Sequence, residues 1–197
     1  MVEEDFEDFK KYRWFYTKSG KLVVGGKSAE QNDLLLMALK DSETDFIAMH
    51  TTEPGSPFSV ILTDMDKISK SDLEECAIFT GCFSRAWKEG KSKTSVDIFK
   101  ISQVYKEAGM KEGTWAVRGK VERIAVPLQL ALTKQKGILR AIPEKSVKSK
   151  KNILIRIKPG KIEKSDISAK IELELNDVFD QEELLSALPS GGISIFR

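Results

Sequence analysis

Gly25-Gly26-Lys27-Ser28 brings together residue types that can hold an anion. Two glycines let the backbone turn sharply, lysine supplies a point charge, and serine is a helix-capping residue. Ser28 and Gln31 stand at capping-box spacing, so a helix is predicted to open at Ser28 with Ala29, Glu30 and Gln31 in its first turn. Free N–H groups at that start, with Lys27 at the mouth, suit a phosphate. A nucleotide-hydrolysing P-loop needs more, namely G-x-x-x-x-G-K-[ST], in which the first glycine begins the wrap of amides around the phosphates. That glycine would fall on Lys21, and Gly20 is one place off. The strand-like VILTD ending at Asp64 is too common a pattern to restore the nucleotidase reading.

A second phosphate contact is expected at the Arg118-Gly119-Lys120 corner, where backbone and basic side chains can both approach a ligand. Other chemistry finds little support. His50 is the only histidine, which makes a His-rich metal site or a zinc enzyme improbable. Cys76 and Cys82 fall in one predicted helix, off any shared metal-ligand spacing, and read as two buried thiols. No nucleophile–base pair or complete cofactor loop is visible, so the chain is expected to be non-catalytic, with no cofactor and no metal.

The elements that must position these residues follow the chain. Trp14–Tyr16 and Leu22–Val24 read as strands around a turn at Thr17–Gly20. The helix after Ser28 should run to about Leu39. Strands are expected at Asp45–His50 and Phe58–Thr63, with EPGSP as the loop between them. Ser71 and Glu74 have capping-box spacing and predict one long helix through Cys76, Phe79, Phe83 and Trp87, ending near Gly90. Short strands follow at Thr94–Tyr105, Thr114–Val117 and Val121–Val126, then apolar pieces at Leu128–Leu132 and Ile138–Ile142. Beyond a basic run at Lys145–Lys151, a strand at Asn152–Lys158, a Pro159-Gly160 turn, a helix from Ser165 (although its IELEL also fits a strand), a helix capped by Asp180 and a terminal strand are expected.

The fold class predicted is α+β, a mixed or antiparallel sheet packed with two main helices, plus a small C-terminal α/β extension. The divisions are an acidic arm at 1–9 with Phe6 and Phe9 able to dock on the body, a main domain at 10–144, a basic linker at 145–151 and the extension at 152–197. At 41% hydrophobic and 31% charged, 197 residues can bury a core of that size without wholesale disorder. The acidic start lacks a signal peptide's basic and apolar regions and no apolar run approaches the roughly 20 residues of a membrane span, which points to the cytoplasm and no membrane partner. The net charge of +2 conceals segregation. Basic residues from Lys134 to Lys158 enclose a single acid, Glu144, and suggest a surface for polyanions.

Several stretches together resemble the NFACT-R domain, the RNA-binding module of ribosome-associated quality-control factors. WFYTKSGKLVVGGKSAEQNDLL is similar to that family's W-F…G-x-L-V-x-G-G-[RK]-x-A-x-x-N-x-x-L. FIAMHTTEPGSPFSVIL matches its strand, histidine, Gly-Ser turn and strand. CAIFTGCFSRAWKEGKSKTSVDIFKISQVYKEAGMKEGTWAVRGK follows its helix ending in S-x-A-W, then Q-V-x-K and G-[ST]-[FW]-x-[VI]-R-G-K. The resemblance runs from about Trp14 to Arg123, and the tail LPSGGISIF is similar to the extension of stand-alone archaeal members. Phe79 and Phe83 depart from the family's usual alanine or valine, a matter of packing. The N-terminal part of long members, on which peptide tailing depends, lies outside the resemblance, so that activity is not implied.

The resemblance implies cytosolic work at the ribosome on tRNA or rRNA, with DNA or a protein partner as alternatives. It draws attention to Gly25, Gly26, Lys27, Gln31, Asn32, His50, Ser56, Ser84, Arg85, Lys88, Arg118 and Lys120. Of these, Lys27, Gln31, Asn32, His50, Arg85, Lys88, Arg118 and Lys120 form the expected nucleic-acid-binding set, with Asn32 also suited to bracing the EPGSP loop. Trp14 and Trp115 are expected to pack.

Overall fold

Aromatic and β-branched runs on either side of a turn make the first hairpin, Arg13–Tyr16 (β1) and Leu22–Gly25 (β2), with Arg13 opposite Gly25 and Tyr16 opposite Leu22. The computed structural model describes residues 8–196. Most of the expected acidic arm, Phe6 included, lies outside the described residues. Phe9 begins a short 3-10 turn and sets its ring edge-on to Trp14 at 5.2 Å.

Ala29–Lys40 (α1) follows, then strands Ile47–Thr51 (β3) and Ser59–Ile61 (β4) and helix Lys70–Cys82 (α2). Arg85–Lys88 (α3) is a separate turn of helix, and Lys93–Lys100 (β5), Val104–Tyr105 (β6), Ala116–Val117 (β7) and Glu122–Pro127 (β8) complete this half. The main sheet has the order β1-β2-β4-β3-β5-β8, antiparallel throughout, and β6 and β7 form a separate ribbon. Side chains alternate between its faces. Trp14, Leu22, Val24 and Val60 join Leu35, Leu36 and Leu39 of α1, while Phe15, Val23 and Ile61 join Cys76, Ala77 and Phe79 of α2. A sheet covered on both faces explains why β1 and β2 read as unbroken apolar runs. The fold is α+β.

Leu130–Gln135 (β9), Ile138–Ile142 (β10), Ile155–Ile162 (β11), Lys164–Leu175 (α4), Gln181–Ala187 (α5) and Ile193–Phe196 (β12) make the second half. Its antiparallel sheet has the order β10-β9-β11-β12. Residues 145–151, expected as a linker between domains, connect β10 to β11 within this one sheet and are tied to α2. Ser146 Oγ donates to Glu75 at 2.8 Å and Lys145 pairs with Glu74 at 2.7 Å. Gln135 covers the open edge of β1, accepting from Tyr16 N and donating to Tyr16 O, both at 2.8 Å. The Trp87 indole donates to Gly192 O at 3.1 Å.

Three local expectations are corrected. The cap of α2 is Ser69 with Asp72, two residues before the expected Ser71 and Glu74, because Ser71 Oγ instead donates to Glu75 at 2.9 Å. The long helix breaks after Cys82: Ser84 Oγ donates to Gly81 O and accepts from Ala86 N, ending one helix and starting the next. Pro159-Gly160 lies inside β11 rather than after it, at a register shift against β12. Cys76 and Cys82 are fully buried, and burial pushes both thiols up.

Candidate functional site

The start of α1 is built from the Gly25-Gly26 turn. Ser28 Oγ accepts from Gln31 N at 3.2 Å, while Gln31 Oε1 accepts from Lys27 N at 3.0 Å and Gln31 Nε2 donates to Lys11 O at 3.4 Å. The reciprocal bond of the expected box thus falls one residue early, on Lys27. This leaves the Lys27 side chain exposed, and Gln31 is spent on local bonds.

Asn32, one position further, is 8% exposed and accepts from Phe58 N at 3.1 Å through Oδ1. That bond joins α1 to the end of the EPGSP loop. The loop is held at its other end by Ser56 Oγ accepting from Thr51 N at 2.9 Å, and by Gly55 O accepting from Arg85 N at 2.7 Å. Gly55 has φ +107°, which glycine adopts without strain, and a side chain there would meet Arg85 Cβ at 3.1 Å. α1, β3 and α3 are therefore fastened around one loop.

His50 ends up against this loop, its ring 4.6 Å from that of Phe58. Its Nδ1–H donates to Thr51 O at 2.7 Å. Burial lowers its pKa against the opposing pull of Thr51 O and of Asp97, its register partner on β5. Asp97 is itself engaged by Arg123 Nε at 2.6 Å and Thr52 Oγ1 at 2.9 Å. A lowered pKa favours the neutral ring at physiological pH, so His50 offers stacking and hydrogen bonding rather than charge.

The fourth wall is the segment between β6 and β7. Asp33 of α1 accepts from Lys106 Nζ at 2.6 Å and from the Trp115 indole at 2.7 Å. Burial alone would raise the Asp33 carboxyl, and the bonds from Lys106, Gly113 and Trp115 outweigh it and hold the pKa below the usual value. Gly113, at φ +71°, lies so close to Ala29 that an added Cβ would be 2.7 Å from Ala29 Cα. Asp33→Ala is expected to release this segment at a cost of about 1–2 kcal/mol. Hydrogen exchange should quicken across residues 106–115 while β3 and β5 stay protected. Unchanged exchange there would mean that Gly113 and Ala29 hold the segment without Asp33.

These walls enclose a cleft of about 630 Å³. Its cations are Arg13, Lys27, Arg85 and Lys88, and its aromatic wall includes Phe58, Phe99 and Trp115. Asp97 and Glu112 also face it. Of the expected residues, Lys27, Asn32, His50, Arg85 and Lys88 meet at this cleft, as do Ser56 and Ser84. Gln31, Arg118 and Lys120 do not line it. Gln103 Nε2 donates to both Arg118 O and Lys120 O at 2.9 Å, and the Arg118 guanidinium lies 5.7 Å from the Tyr105 ring. The corner thus stands beside the cleft, past Val117 and Val121, which do line it.

Arg13 was not among the expected residues, although the hairpin carries its signal: with the turn at Thr17–Gly20, Arg13 must pair with Gly25, next to Lys27. Trp115, expected only to pack, both packs and lines the cleft. The basic run from Lys134 to Lys158 is partly neutralised, Lys145 by Glu74 and Arg156 by Glu144.

A family model described as NFACT protein RNA binding domain matches residues 11–119. The chain is 29% identical over 210 residues to the archaeal Rqc2 homolog aRqcH of Methanocaldococcus jannaschii, covering 100% of this chain and 30% of that protein. It is 30% identical over 149 residues to ribosome quality control complex subunit 2 of Schizosaccharomyces pombe, covering 73% of this chain and 14% of that protein. The chain thus spans less than a third of either relative. Among solved structures, the C-terminal part of the fibronectin/fibrinogen-binding protein from Streptococcus suis matches with a TM-score of 0.50 and 24% identity, over 59% of this chain and 45% of that one, a likeness of fold.

Proposed function

Because the chain belongs to the NFACT protein RNA-binding domain family, we propose that it binds tRNA or rRNA through the cleft at the start of α1, in the setting of ribosome quality control. The observation that carries this reading is the pairing, in one cleft, of four cations with an aromatic wall. Cations neutralise backbone phosphates, and aromatic faces receive unstacked bases, which is how single-stranded segments of RNA are held. The half-buried rings of His50 and Trp115 are open to the cleft for this, with Phe58 and Phe99 buried behind them. Arg118 and Lys120, exposed beside the cleft, extend the basic surface along a bound strand. The chain acts as a binding module without a chemical step of its own. A ribosomal target would place this work in the cytoplasm. Among the described residues no helix is long and apolar enough to cross a membrane.

The test is a salt series of binding to tRNA, rRNA fragments and duplex DNA. Lys27→Ala/Arg85→Ala/Lys88→Ala should weaken RNA binding at least about tenfold and flatten the dependence of log K on log salt by about 2, the value for three lost single-strand phosphate contacts. Arg118→Ala/Lys120→Ala, outside the cleft, should produce a smaller loss of the same kind. Equal affinity of wild type and cleft variant would overturn the reading. Preference for duplex DNA over every RNA would replace it with a DNA-binding function.

A further inference from the structure

Arg13 projects into the cleft from the first residue of β1, its guanidinium 4.6 Å from the Phe83 ring. Among the described residues no carboxylate pairs with it and no hydrogen bond occupies its five donors. Lys27 lines the same cleft, likewise without an acid. Behind them stand two more cations, both from the second half of the chain. Arg140 of β10 lies 4.4 Å from the Trp14 ring with its Nε–H buried and without a partner. Lys164, at the start of α4, donates to Leu188 O at 3.2 Å. Glu183 is the carboxylate acting on Arg140, and its Oε1 is already taken by Leu139 N–H at 2.5 Å.

These like charges act on one another. Burial, then Arg140, lowers the Arg13 pKa to about 10. Partial desolvation at the cleft mouth, then Arg13 and Arg140, lowers that of Lys27, whose side chain still reaches solvent, and burial, then Arg13, lowers that of Lys164. Buried guanidinium donors are normally paired, and removing a charge from water without a counterion is costly. A cluster of four cations with open donors is the configuration that an anion completes. A phosphodiester brings one negative charge, whereas a phosphate monoester brings nearly two and three strong acceptor oxygens.

We infer that the inner end of the cleft is a seat for the terminal phosphate of an RNA strand, a phosphate monoester gripped by Arg13 and Lys27 in the field of Arg140 and Lys164. The nucleoside next to it lies against the half-buried rings of His50 and Trp115. This rests on the RNA-binding reading and adds an end preference to it. It also gives the second half of the chain a part in recognition, since Arg140 and Lys164 fall outside the residues 11–119 that match the family model.

The experiment measures fluorescence anisotropy with three RNA oligonucleotides of one sequence, bearing a 5′-phosphate, a 3′-phosphate or no terminal phosphate. One phosphorylated form should bind about tenfold tighter than the unphosphorylated one, the gain expected of charge-assisted hydrogen bonds to arginine. Arg13→Gln should abolish that preference. Arg140→Gln, which does not touch the cleft, should reduce it about threefold and serves should Arg13→Gln fail to fold. Arg85→Gln should weaken all three oligonucleotides alike. Equal, salt-dependent binding of the three by the wild-type chain would overturn the seat and leave RNA binding standing. Binding to none of them would overturn both.

Discussion

Asp72→Ala is expected to destabilise the protein by about 3 kcal/mol, with a fall in Tm of about 6–12 °C. Asp72 has no exposed surface, and four donors converge on it. Thr17 Oγ1 and Ser19 Oγ reach Oδ1 at 2.6 Å, and Ser69 N and Oγ reach Oδ2 at 2.9 and 2.7 Å. Neighbouring Glu75, equally buried, accepts from Lys18 N and Ser146 Oγ at 2.8 Å and from Ser71 Oγ at 2.9 Å. The two carboxylates fasten the turn of the β1–β2 hairpin to α2, and Glu75 extends the bond to the second half of the chain. Truncating Asp72 orphans the buried Thr17 hydroxyl and removes the α2 cap, and truncating Glu75 orphans the buried Ser146 hydroxyl, while exposed Ser19, Ser69, Lys18 and Ser71 can turn to water.

The same network sets a pH dependence. Burial alone would raise the Asp72 carboxyl, and the bonds from Ser19, Thr17 and Ser69 outweigh it, so its pKa lies below the ordinary value. A group whose folded pKa is depressed contributes stability that is complete above the unfolded pKa of about 4 and is lost as pH falls through the folded one. Acid unfolding followed by circular dichroism should therefore be less steep in Asp72→Asn than in wild type. An Asp72→Ala chain with unchanged Tm would show that the hairpin turn holds itself. Because β1 and β2 deliver Arg13 and Lys27, a loosened turn should also weaken RNA binding.

How far the residues alone reveal this arrangement depends on whether a partner is local. The β1–β2 hairpin and the Ser28 cap are legible, since their signals lie within a few residues of one another. Ser69-x-x-Asp72 and Ser71-x-x-Glu74 are equally good capping boxes on paper. What separates them is that Asp72 also meets Thr17 and Ser19, more than fifty positions away. Phe83 and Trp87 continue the helical spacing of Cys76 and Phe79, and the break between them reflects the tie of Arg85 N to Gly55 O. The Lys145–Lys151 run has a linker's composition, and only its bonds to Glu74 and Glu75 on α2 make it part of the body.

The site divides in the same way. Lys27, Asn32, His50, Arg85 and Lys88 stand in or beside recognisable motifs, and the fold gathers them at one cleft. Arg13 and Arg140 carry no motif, because what distinguishes them, the lack of an acid at Arg13 and a buried Nε–H without a partner at Arg140, is a property of three-dimensional surroundings. Gln31 illustrates the converse: its motif puts it in the expected nucleic-acid-binding set, but its amide is consumed by Lys27 N and Lys11 O.

Gly26→Ala is expected to cost about 2–3 kcal/mol and to lower RNA affinity about tenfold, because one methyl group strikes the residue that shapes the cleft. A Cβ at Gly26 would fall on Asn32 Oδ1, 3.0 Å from Cγ and 2.9 Å from the Asn32 backbone N. Asn32 Oδ1 is the acceptor for Phe58 N, so displacing it orphans a buried N–H and frees the loop that carries Ser56 and Phe58. Gly25 makes an internal control, since a Cβ there would meet Ser59 Oγ at 3.2 Å, a contact that a small shift relieves. The double variant Gly26→Ala/Asn32→Ala separates strain from function. Removing the Asn32 side chain clears two of the three close contacts and should restore part of the stability, while the contact with the backbone N remains. It should restore none of the binding, because Phe58 N still lacks its acceptor. If Asn32→Ala alone bound RNA as well as wild type, the brace would be structural and the cleft's shape would rest on the Gly55–Arg85 bond instead.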